Sequence, residues 1–488
     1  MLKYSKSDLY PFRIDCMAIQ QKSSVDRSIL LLNPPWEKKK GNIWKSVASC
    51  LPSLGLGILA AYLEQSGIKA TIIDYQAEDF REQEFCQRLE QIQPIFVGIT
   101  ATSVLIKNAL DLARVVKQTS TALVVIGGVH ATIMPEEVLS NLNVDYVIRG
   151  EGEKPLLSLV RGNDPNTIDG ISFKKDGHLV HVGPQVCINN LDKLPYPAYH
   201  LLPIKLYHTA LGSARREPSL SLLTTRGCPG RCTFCNSQVF GKHLRFRSAE
   251  HILGEIDLLT SNYGIREVSF YDDTFCASKT RVVELCRLLI DRHIDLTWTC
   301  MSRVDYADPE VLSVMARAGC HLICYGVESA DPTILATIKK NINLEQVRKA
   351  VRMTQETGIE VRLSFMIGNP GETRETIEKT IQFAIDVDPD MVQFNITTPY
   401  PGSEMYKWAK ENNYLLTEDW SLYDYYHYVM ELPTISSREI EHAYKEAYRR
   451  FFFRPAYLIK RLKKLRSFRD LRMAFRGVQA IFATGHRS

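Results

Sequence analysis

The chain has 488 residues, 45% hydrophobic and 24% charged, so it exceeds one typical domain and has the composition of a globular protein. It contains no run near the ~18 apolar residues of a membrane span, and the first residues lack the apolar core of a secretory signal, so we expect a cytoplasmic protein. The net charge of +5 comes from residues 449–476, where eleven Lys and Arg accompany one acid. We expect no nucleic-acid partner. Most of the twelve cysteines stand singly in apolar runs, which favours reduced thiols over disulfides.

After an N-terminal extension, residues 1–27, the segment 28–160 alternates apolar runs with amphipathic stretches. Runs such as "ILLLN" and "ALVVIGG" are apolar throughout, as expected for a parallel sheet covered by helices on both faces. Five such strands predict a doubly wound, Rossmann-like domain, whose ligands bind beyond the carboxyl ends of the strands. The polar, glycine-rich segments at that edge, which are either a ligand site, as we favour, or simple turns, are 33–35, 100–103, 127–130 and 149–153.

Residues 161–215 are predicted to be a linker with a small hairpin at Asp176-Gly177. From 216 to 405, six apolar strand segments alternate with helix-like segments that often begin at a capping residue and end at glycine. Six repeats are too few for a closed eight-stranded barrel, so we expect a partial, open (β/α)6 barrel of the TIM type with its site at the carboxyl ends of the strands. Residues 406–488 are expected to form a short, basic, helical C-terminal region.

The segment "TTRGCPGRCTFCNSQ" follows the first predicted barrel strand and spaces Cys228, Cys232 and Cys235 as C-x3-C-x2-C. Structural zinc usually takes four ligands, whereas an iron–sulfur cube with three protein ligands leaves one iron open. The glycines and proline of this segment let the chain curl so that three side chains converge. We therefore favour a [4Fe–4S] cluster over zinc or unliganded thiols.

This cysteine loop, with the aromatic Phe234 before its last cysteine, resembles the radical S-adenosylmethionine signature. The segments "FYDDTF", "SRVD", "GVES", "FMIGNPGET" and "TPYPGSEMY", which follow the later strands, are similar to motifs of the same family. The N-terminal domain, with "NPPW", "GGVHA" and "RGEGE", looks like the B12-binding domain of the cobalamin-dependent branch. The resemblance covers residues from about 28 to 410 and implies three cofactors: a [4Fe–4S] cluster, S-adenosylmethionine and cobalamin.

The resemblance also implies individual ligands. Two acids would accept hydrogen bonds from the ammonium of S-adenosylmethionine, an arginine would neutralise its carboxylate and a glutamate would bind its ribose. The residues assigned to S-adenosylmethionine in this way are Phe234, Asp272, Asp273, Arg303, Glu328, Gly368, Pro370 and Gly371. Those assigned to cobalamin are Asn33, Pro34, Thr100, Thr102, Ser103, Gly127, Gly128, His130, Gly150, Glu151, Gly152 and Glu153.

The chain departs from some B12-binding domains in its expected cobalt ligand. The Asp-x-His-x-x-Gly motif that supplies a histidine to cobalt is absent, and His130 lies in the different context "GGVHA". We therefore expect base-off cobalamin without a histidine ligand, and His130 is equally well explained as a polar loop residue.

The family implies that the reduced cluster cleaves S-adenosylmethionine and that the resulting 5′-deoxyadenosyl radical takes hydrogen from a small-molecule substrate. Methyl transfer from methylcobalamin to an unactivated carbon is the commonest outcome and our first hypothesis. The architecture also resembles the anaerobic magnesium-protoporphyrin monomethyl ester cyclase subgroup, so oxidative cyclisation or rearrangement of a tetrapyrrole- or lipid-like substrate is the alternative. An iron–sulfur electron carrier or sensor without turnover is a third hypothesis. The expected electron donor is of the flavodoxin or ferredoxin type.

The C-terminal stretch "RRFFFRPAYLIKRLKKLRSF" combines large apolar residues with many basic ones. This composition is typical of a helix that lies on a membrane surface, which would make the protein membrane-peripheral. It also suits a capping helix that packs its apolar stripe on the barrel, and we favour this second interpretation.

Overall fold

The structure, a computed structural model, describes residues 27–36, 49–210, 213–236 and 239–464. The N-terminal extension, apart from Arg27, and the tail beyond Lys464 lie outside the described residues.

The N-terminal domain is built on a seven-stranded sheet with the order β2-β1-β3-β4-β5-β6-β7. Strands β1–β5 pair in parallel, as predicted. The hairpin predicted in the linker forms β6 and β7 and extends the sheet antiparallel to β5, with Asp176 and Gly177 at positive φ in its turn. The strands are β1 (Ser28–Asn33), β2 (Lys69–Asp74), β3 (Phe96–Thr100), β4 (Leu123–Gly127), β5 (Tyr146–Ile148), β6 (Ile171–Lys175) and β7 (His178–His181).

Helices cover both faces of this sheet, which explains why its strands are apolar on both sides. In β1, Ile29 and Leu31 belong to one hydrophobic core, while Leu30 and Leu32 belong to the other. The doubly wound prediction is confirmed. The helices are α1 (Leu54–Glu64), α2 (Glu82–Ile92), α3 (Ile106–Thr119), α4 (Val129–Ile133), α5 (Pro135–Ser140) and α6 (Glu153–Val160).

The second domain contains six parallel strands in the order β15-β14-β13-β12-β11-β8, and among the described residues β8 and β15 are its unjoined edges. This is the partial barrel that the six repeats predicted. A two-stranded ribbon of β9 (Thr225–Arg226) and β10 (Arg245–Phe246) stands beside it. The barrel strands are β8 (Ser219–Leu222), β11 (Glu267–Phe270), β12 (Thr297–Ser302), β13 (Cys320–Glu328), β14 (Glu360–Ile367) and β15 (Met391–Ile396).

The barrel helices pack on the convex side of this sheet against alternate strand residues such as Phe270, Trp298 and Leu363. Several begin with a side-chain cap; Asn343 and Gln346, for example, form a reciprocal capping box at α11. The helices are α7 (Ala249–Tyr263), α8 (Lys279–Asp291), α9 (Pro309–Arg317), α10 (Pro332–Thr337), α11 (Leu344–Glu356) and α12 (Arg374–Val387).

Up to Lys464, where the described part of the chain ends, three helices follow the last barrel strand: α13 (Glu404–Glu411), α14 (Ser437–Phe452) and α15 (Pro455–Lys464). Helix α14 lies along the edge strand β15, where the Tyr448 hydroxyl donates to the Phe394 carbonyl (3.0 Å) and accepts from the Phe394 N–H (3.1 Å). This side chain satisfies a backbone pair that an edge strand otherwise leaves open. Helix α14 therefore covers this edge of the sheet, and the basic stretch to which the capping interpretation applies begins only in its last turn.

A buried ionic cluster joins the two domains. Glu151, in the loop after β5, accepts from Arg226 of β9 at 2.7 Å and pairs with Arg245 of β10 at 2.6 Å. Glu153 pairs with Arg226 at 2.6 Å, and all four side chains are nearly inaccessible to solvent. The cluster therefore fixes the carboxyl edge of the N-terminal sheet beside the ribbon that precedes and follows the cysteine loop.

Replacing Glu151 with alanine leaves Arg226 with one partner fewer and Arg245 without a carboxylate among the described residues. Stranding a buried charge costs about 3–5 kcal/mol, so we expect a loss of this order in unfolding free energy, measured as a shift of the denaturant midpoint. Glu84→Ala is the control, because Glu84 is 58% exposed and its surface pair with Arg81 contributes about 1 kcal/mol or less. Equal effects of the two changes would contradict the role of the cluster.

Candidate functional site

The cysteine loop leaves the barrel directly after β8 and β9. Gly227 has φ +93°, and a Cβ there would clash with the His243 carbonyl, so only glycine fits this turn. The N–H of Cys228 donates to the Gly241 carbonyl at 3.3 Å, which draws the two ends of the loop together. The pairing of β9 with β10 then closes its base.

The three thiols of this loop fit a cluster with three protein ligands. A Cβ added at Gly230 would lie 3.3 Å from the Cys228 sulfur and 3.9 Å from the Cys232 sulfur, so both sulfurs stand over this glycine. Burial raises the pKa of the Cys232 thiol, which a bound cation would reverse. Among the described residues no three His, Cys, Asp or Glu side chains are arranged for a single metal ion. The donor set, three cysteines on one curled loop, is the one that a [4Fe–4S] cluster with an open iron requires.

The two acids assigned to S-adenosylmethionine after β11 have different environments. Asp273 is exposed near Cys235, and desolvation by the surrounding loops together with the adjacent Asp272 raises its pKa. Asp272 is fully buried and accepts from the backbone N–H of Thr224 (2.6 Å) and Thr225 (2.9 Å). The Asp272 carboxylate therefore shapes the start of the cysteine loop, and its assignment to S-adenosylmethionine stays a prediction.

Glu328 and Arg303 lie at the ends of β13 and β12. Glu328 has φ +75° at an irregularity of the strand pairing, and it accepts from the Lys340 ammonium at 2.9 Å. Arg303 donates to Asp305 at 2.9 Å and to the Lys340 carbonyl at 3.3 Å, with Cys232 near enough to contribute to the raised pKa of Arg303. The two predicted residues thus meet beside the cysteine loop, joined by Lys340.

The glycine-rich segment after β14 is held by a buried glutamate. Glu372 accepts from the N–H of Gly368 at 2.6 Å and from the N–H of Asn369 at 3.0 Å. Gly368 and Gly371 have φ of +95° and +83°, which explains the two glycines around Pro370 in "GNPGE". The three predicted residues form a tight turn at the carboxyl end of the sheet. Phe234 lies in the cysteine loop, half-buried against the core.

The loops assigned to cobalamin interlock at the carboxyl edge of the N-terminal sheet. Gly128, at φ +94°, lies so close to Thr100 and Ala101 that a Cβ would clash with both. The Thr132 hydroxyl accepts from the N–H of Gly150 and donates to the Gly128 carbonyl, which joins the loops after β4 and β5. The edge presents exposed side chains at Thr102, Trp36 and Val129, while Pro34 is buried and Gly127 and Gly152 are half-buried.

Several polar residues of this group have internal partners. His130 is fully buried, with its Nδ1 3.1 Å from the Ser103 hydroxyl and its ring against Trp420. The amide of Asn33 donates to Asp74 at 2.8 Å. Glu151 and Glu153 pair with arginines of the second domain. In the structure these five side chains shape and fasten the loops, and their assignment to cobalamin stays a prediction.

Sequence reasoning missed Lys340 and Trp420. Lys340 is buried and its Nζ stands over Gly326, where a Cβ would lie 2.9 Å away, so the glycine of "GVES" admits the lysine. The indole of Trp420 donates to Glu137 at 2.7 Å and covers His130. Neither residue belongs to a recognised segment; the glycine of "GVES" was the one signal that a neighbour approaches this strand closely.

A barrel with a three-cysteine loop at its carboxyl edge, fastened to a doubly wound domain, defines an enzyme that carries a metal cluster and further cofactors. The chain belongs to the radical SAM superfamily and carries a B12-binding domain: residues 222–384 match the family model of the former and residues 43–160 match that of the latter. The resemblance drawn from the sequence is confirmed. The cofactors are a [4Fe–4S] cluster, S-adenosylmethionine and cobalamin, and enzymes of this superfamily act on small molecules with an external reductant.

Relatives cover almost the whole chain. An uncharacterized methyltransferase of Pyrococcus horikoshii is 37% identical over 93% of this chain and 98% of its own length. The anaerobic magnesium-protoporphyrin IX monomethyl ester cyclase of Rubrivivax gelatinosus is 27% identical over 84% of this chain and 76% of its own. The radical S-adenosylmethionine methyltransferase TsrM of Kitasatospora setae, solved with cobalamin and a [4Fe–4S] cluster, is 21% identical and superposes over 79% of this chain and 75% of its own with a TM-score of 0.66, which shows the same fold.

The buried Glu372 predicts a pH dependence of stability. Burial raises its pKa from 4.5 to about 7, so between these values the unfolded chain binds fewer protons here than the folded protein. Stability therefore falls as the pH rises from 4.5 to about 7, by up to roughly 3 kcal/mol. We expect Glu372→Gln, which keeps an acceptor for the two N–H groups, to abolish this contribution in melting curves recorded across the window.

Glu375→Gln is the matched control for this experiment, because Glu375 is 79% exposed on the following helix. An unaltered pH profile in the Glu372 variant would contradict the assignment.

Proposed function

We propose that the protein transfers a methyl group to an unactivated carbon of a small-molecule substrate. The observation that supports this most is the meeting of the two cofactor edges. Arg226, two residues before Cys228, pairs with the loop after β5, and a Cβ at Gly402 would touch both Asn236, next to Cys235, and Ile133 of α4. A substrate between the edges would therefore face the cluster loop and the cobalamin loops together.

The residues at the barrel edge suit the binding of S-adenosylmethionine. Asp273 is the accessible acid for its ammonium, and Arg303 and Lys340, whose charges reach Cys232, are the proposed cations for its carboxylate. Glu328, released from Lys340 or shared with it, is the proposed ribose ligand. Gly368, Pro370 and Gly371 would let the backbone approach the adenine.

The cobalamin loops would bind their cofactor chiefly through backbone and small side chains. Gly127, Gly128, Gly150 and Gly152 bring main chain to the edge, and Thr102 presents an exposed hydroxyl there. When bound, the cluster supplies the electron that cleaves S-adenosylmethionine and the cobalamin supplies the methyl group. The protein orients both and excludes water, and a low-potential donor of the flavodoxin or ferredoxin type is the proposed partner.

Methyl transfer is favoured over cyclisation because the relative of highest identity reported above, which matches over almost its full length, is named a methyltransferase. Oxidative cyclisation is the second candidate, supported by the cyclase of Rubrivivax gelatinosus. A cluster protein without turnover is the third.

We place the protein in the cytoplasm, where the described cysteines, all free thiols, would stay reduced.

Product analysis of the anaerobically reconstituted protein tests the proposal. With substrate, we expect both S-adenosylhomocysteine, from the methyl donor, and 5′-deoxyadenosine, from the radical step. Cys232→Ala should lose the cluster and lower 5′-deoxyadenosine by at least about 1000-fold, whereas Cys187→Ala, at an exposed thiol outside the loop, should leave both unchanged. 5′-Deoxyadenosine alone would favour cyclisation, and zinc in place of the cluster would refute the whole assignment.

We also propose a peripheral membrane contact through α15. None of the described helices is both long and apolar enough to cross a bilayer. However, Leu458, Ile459 and Leu462 are 40%, 54% and 63% exposed on one face of α15, while Tyr457 packs against the body. These exposed side chains favour the membrane-surface interpretation for α15, and basic residues of the tail would add attraction to anionic lipids.

Replacing Leu458, Ile459 and Leu462 with serine should weaken binding to phosphatidylglycerol vesicles at least tenfold, because each buried leucine or isoleucine contributes about 1.5 kcal/mol or more. Cosedimentation measures this. Leu416→Ser, at a leucine 52% exposed elsewhere, is the control and should change nothing. Equal sedimentation of the triple variant and the wild type would exclude α15 as the contact.

A further inference from the structure

The concave face of the barrel sheet is open to solvent. Along β14, Val361, Leu363 and Phe365 are buried against the helices, whereas Arg362 and Ser364, which alternate with them, remain accessible. Strand β15 shows the same alternation, with Gln393 exposed and Asn395 half-buried between buried neighbours. Since side chains of a strand alternate between faces, the accessible set lines one face of the sheet, the concave one.

Arg362 lies in one layer of this concave face with four neutral side chains. Strand register places Met301 beside Cys324, Cys324 beside Arg362 and Arg362 beside Met391. Tyr271 comes directly after Phe270, whose register partner is Cys300, so it continues the layer just beyond the end of β11. The side chains that surround the Arg362 guanidinium in this layer are therefore uncharged, and three of them contain sulfur.

The Arg362 guanidinium has no carboxylate partner among the described residues. Its Nη2 donates to the Ser213 hydroxyl at 2.9 Å and lies 3.8 Å from the Met391 sulfur. Arg226 and Arg303, by contrast, each pair with a carboxylate. A half-buried cation without a counter-ion is costly unless a ligand supplies the negative charge.

We propose that Arg362 binds an anionic group of the substrate, a carboxylate or a phosphate-type group, inside the barrel below the S-adenosylmethionine residues. This inference rests on the proposed function and specifies the substrate class. A guanidinium matches two oxygens of such a group, and the Tyr271 phenol in the same layer lies within reach of the Arg362 charge. The uncharged side chains around Arg362 would accommodate the apolar remainder of the substrate.

The position of the arginine also constrains substrate length. Glu328 is in register with Phe365, three residues further along β14 than Arg362. At ~3.3 Å per residue, the two levels are about 10 Å apart. The site therefore suits an extended substrate whose anionic group is remote from the reacting carbon.

Binding of small probes to the reconstituted holoenzyme tests this assignment without turnover. Saturation-transfer NMR would compare propionate and ethylphosphonate with the neutral isostere propionamide, in the presence of saturating S-adenosylhomocysteine to block the S-adenosylmethionine site. We expect at least one anion to bind at least tenfold more tightly than propionamide. Stronger binding of propionate would indicate a carboxylate substrate, and stronger binding of ethylphosphonate a phosphate-type one.

Three variants complete the experiment. Arg362→Gln should raise the Kd of the anion at least tenfold, and Arg362→Lys, which keeps the charge but not the fork, should fall between. Arg352→Gln, at an exposed arginine of α11, should bind as the wild type does. Equal affinity in Arg362→Gln, equal affinity for propionamide, or no anion binding would each overturn the inference. The product assay above judges methyl transfer separately.

Discussion

Arg226 stands two residues before the first cysteine of the cluster loop, and both of its amino groups are committed to glutamates of the other domain. Charges buried in this way cannot part without being hydrated, so the two sheet edges are held in one relative position. Arg245, on the strand paired with Arg226, adds a second attachment to Glu151. The spacing of the two cofactor sites is thus set by the folded protein before either cofactor binds.

The architecture was accessible from sequence because its signals are periodic. Apolar runs covered on both faces indicated the first sheet, and six repeats with caps and glycine stops indicated the second. The cysteine spacing located the cluster loop at a strand end without any knowledge of distant contacts. What these signals share is that each depends on residues close together in the chain.

Side-chain roles that depend on long-range partners were harder to predict. Glu151 and Glu153 were assigned to cobalamin because their loop lies at the edge, yet their arginines are more than 70 residues away in sequence. The buried position of Asp272, by contrast, follows from the local sequence, because Asp272 continues the alternation of Val268 and Phe270, which pack outward against the helices. That period of two could have separated it from Asp273. Arg362 follows the same alternation in "EVRLSF", where valine, leucine and phenylalanine mark the opposite face.

The contact of Tyr448 with both backbone groups of Phe394 prevents another strand from joining β15. With β8 at the opposite edge, the described sheet stays an open trough that does not close into a ring.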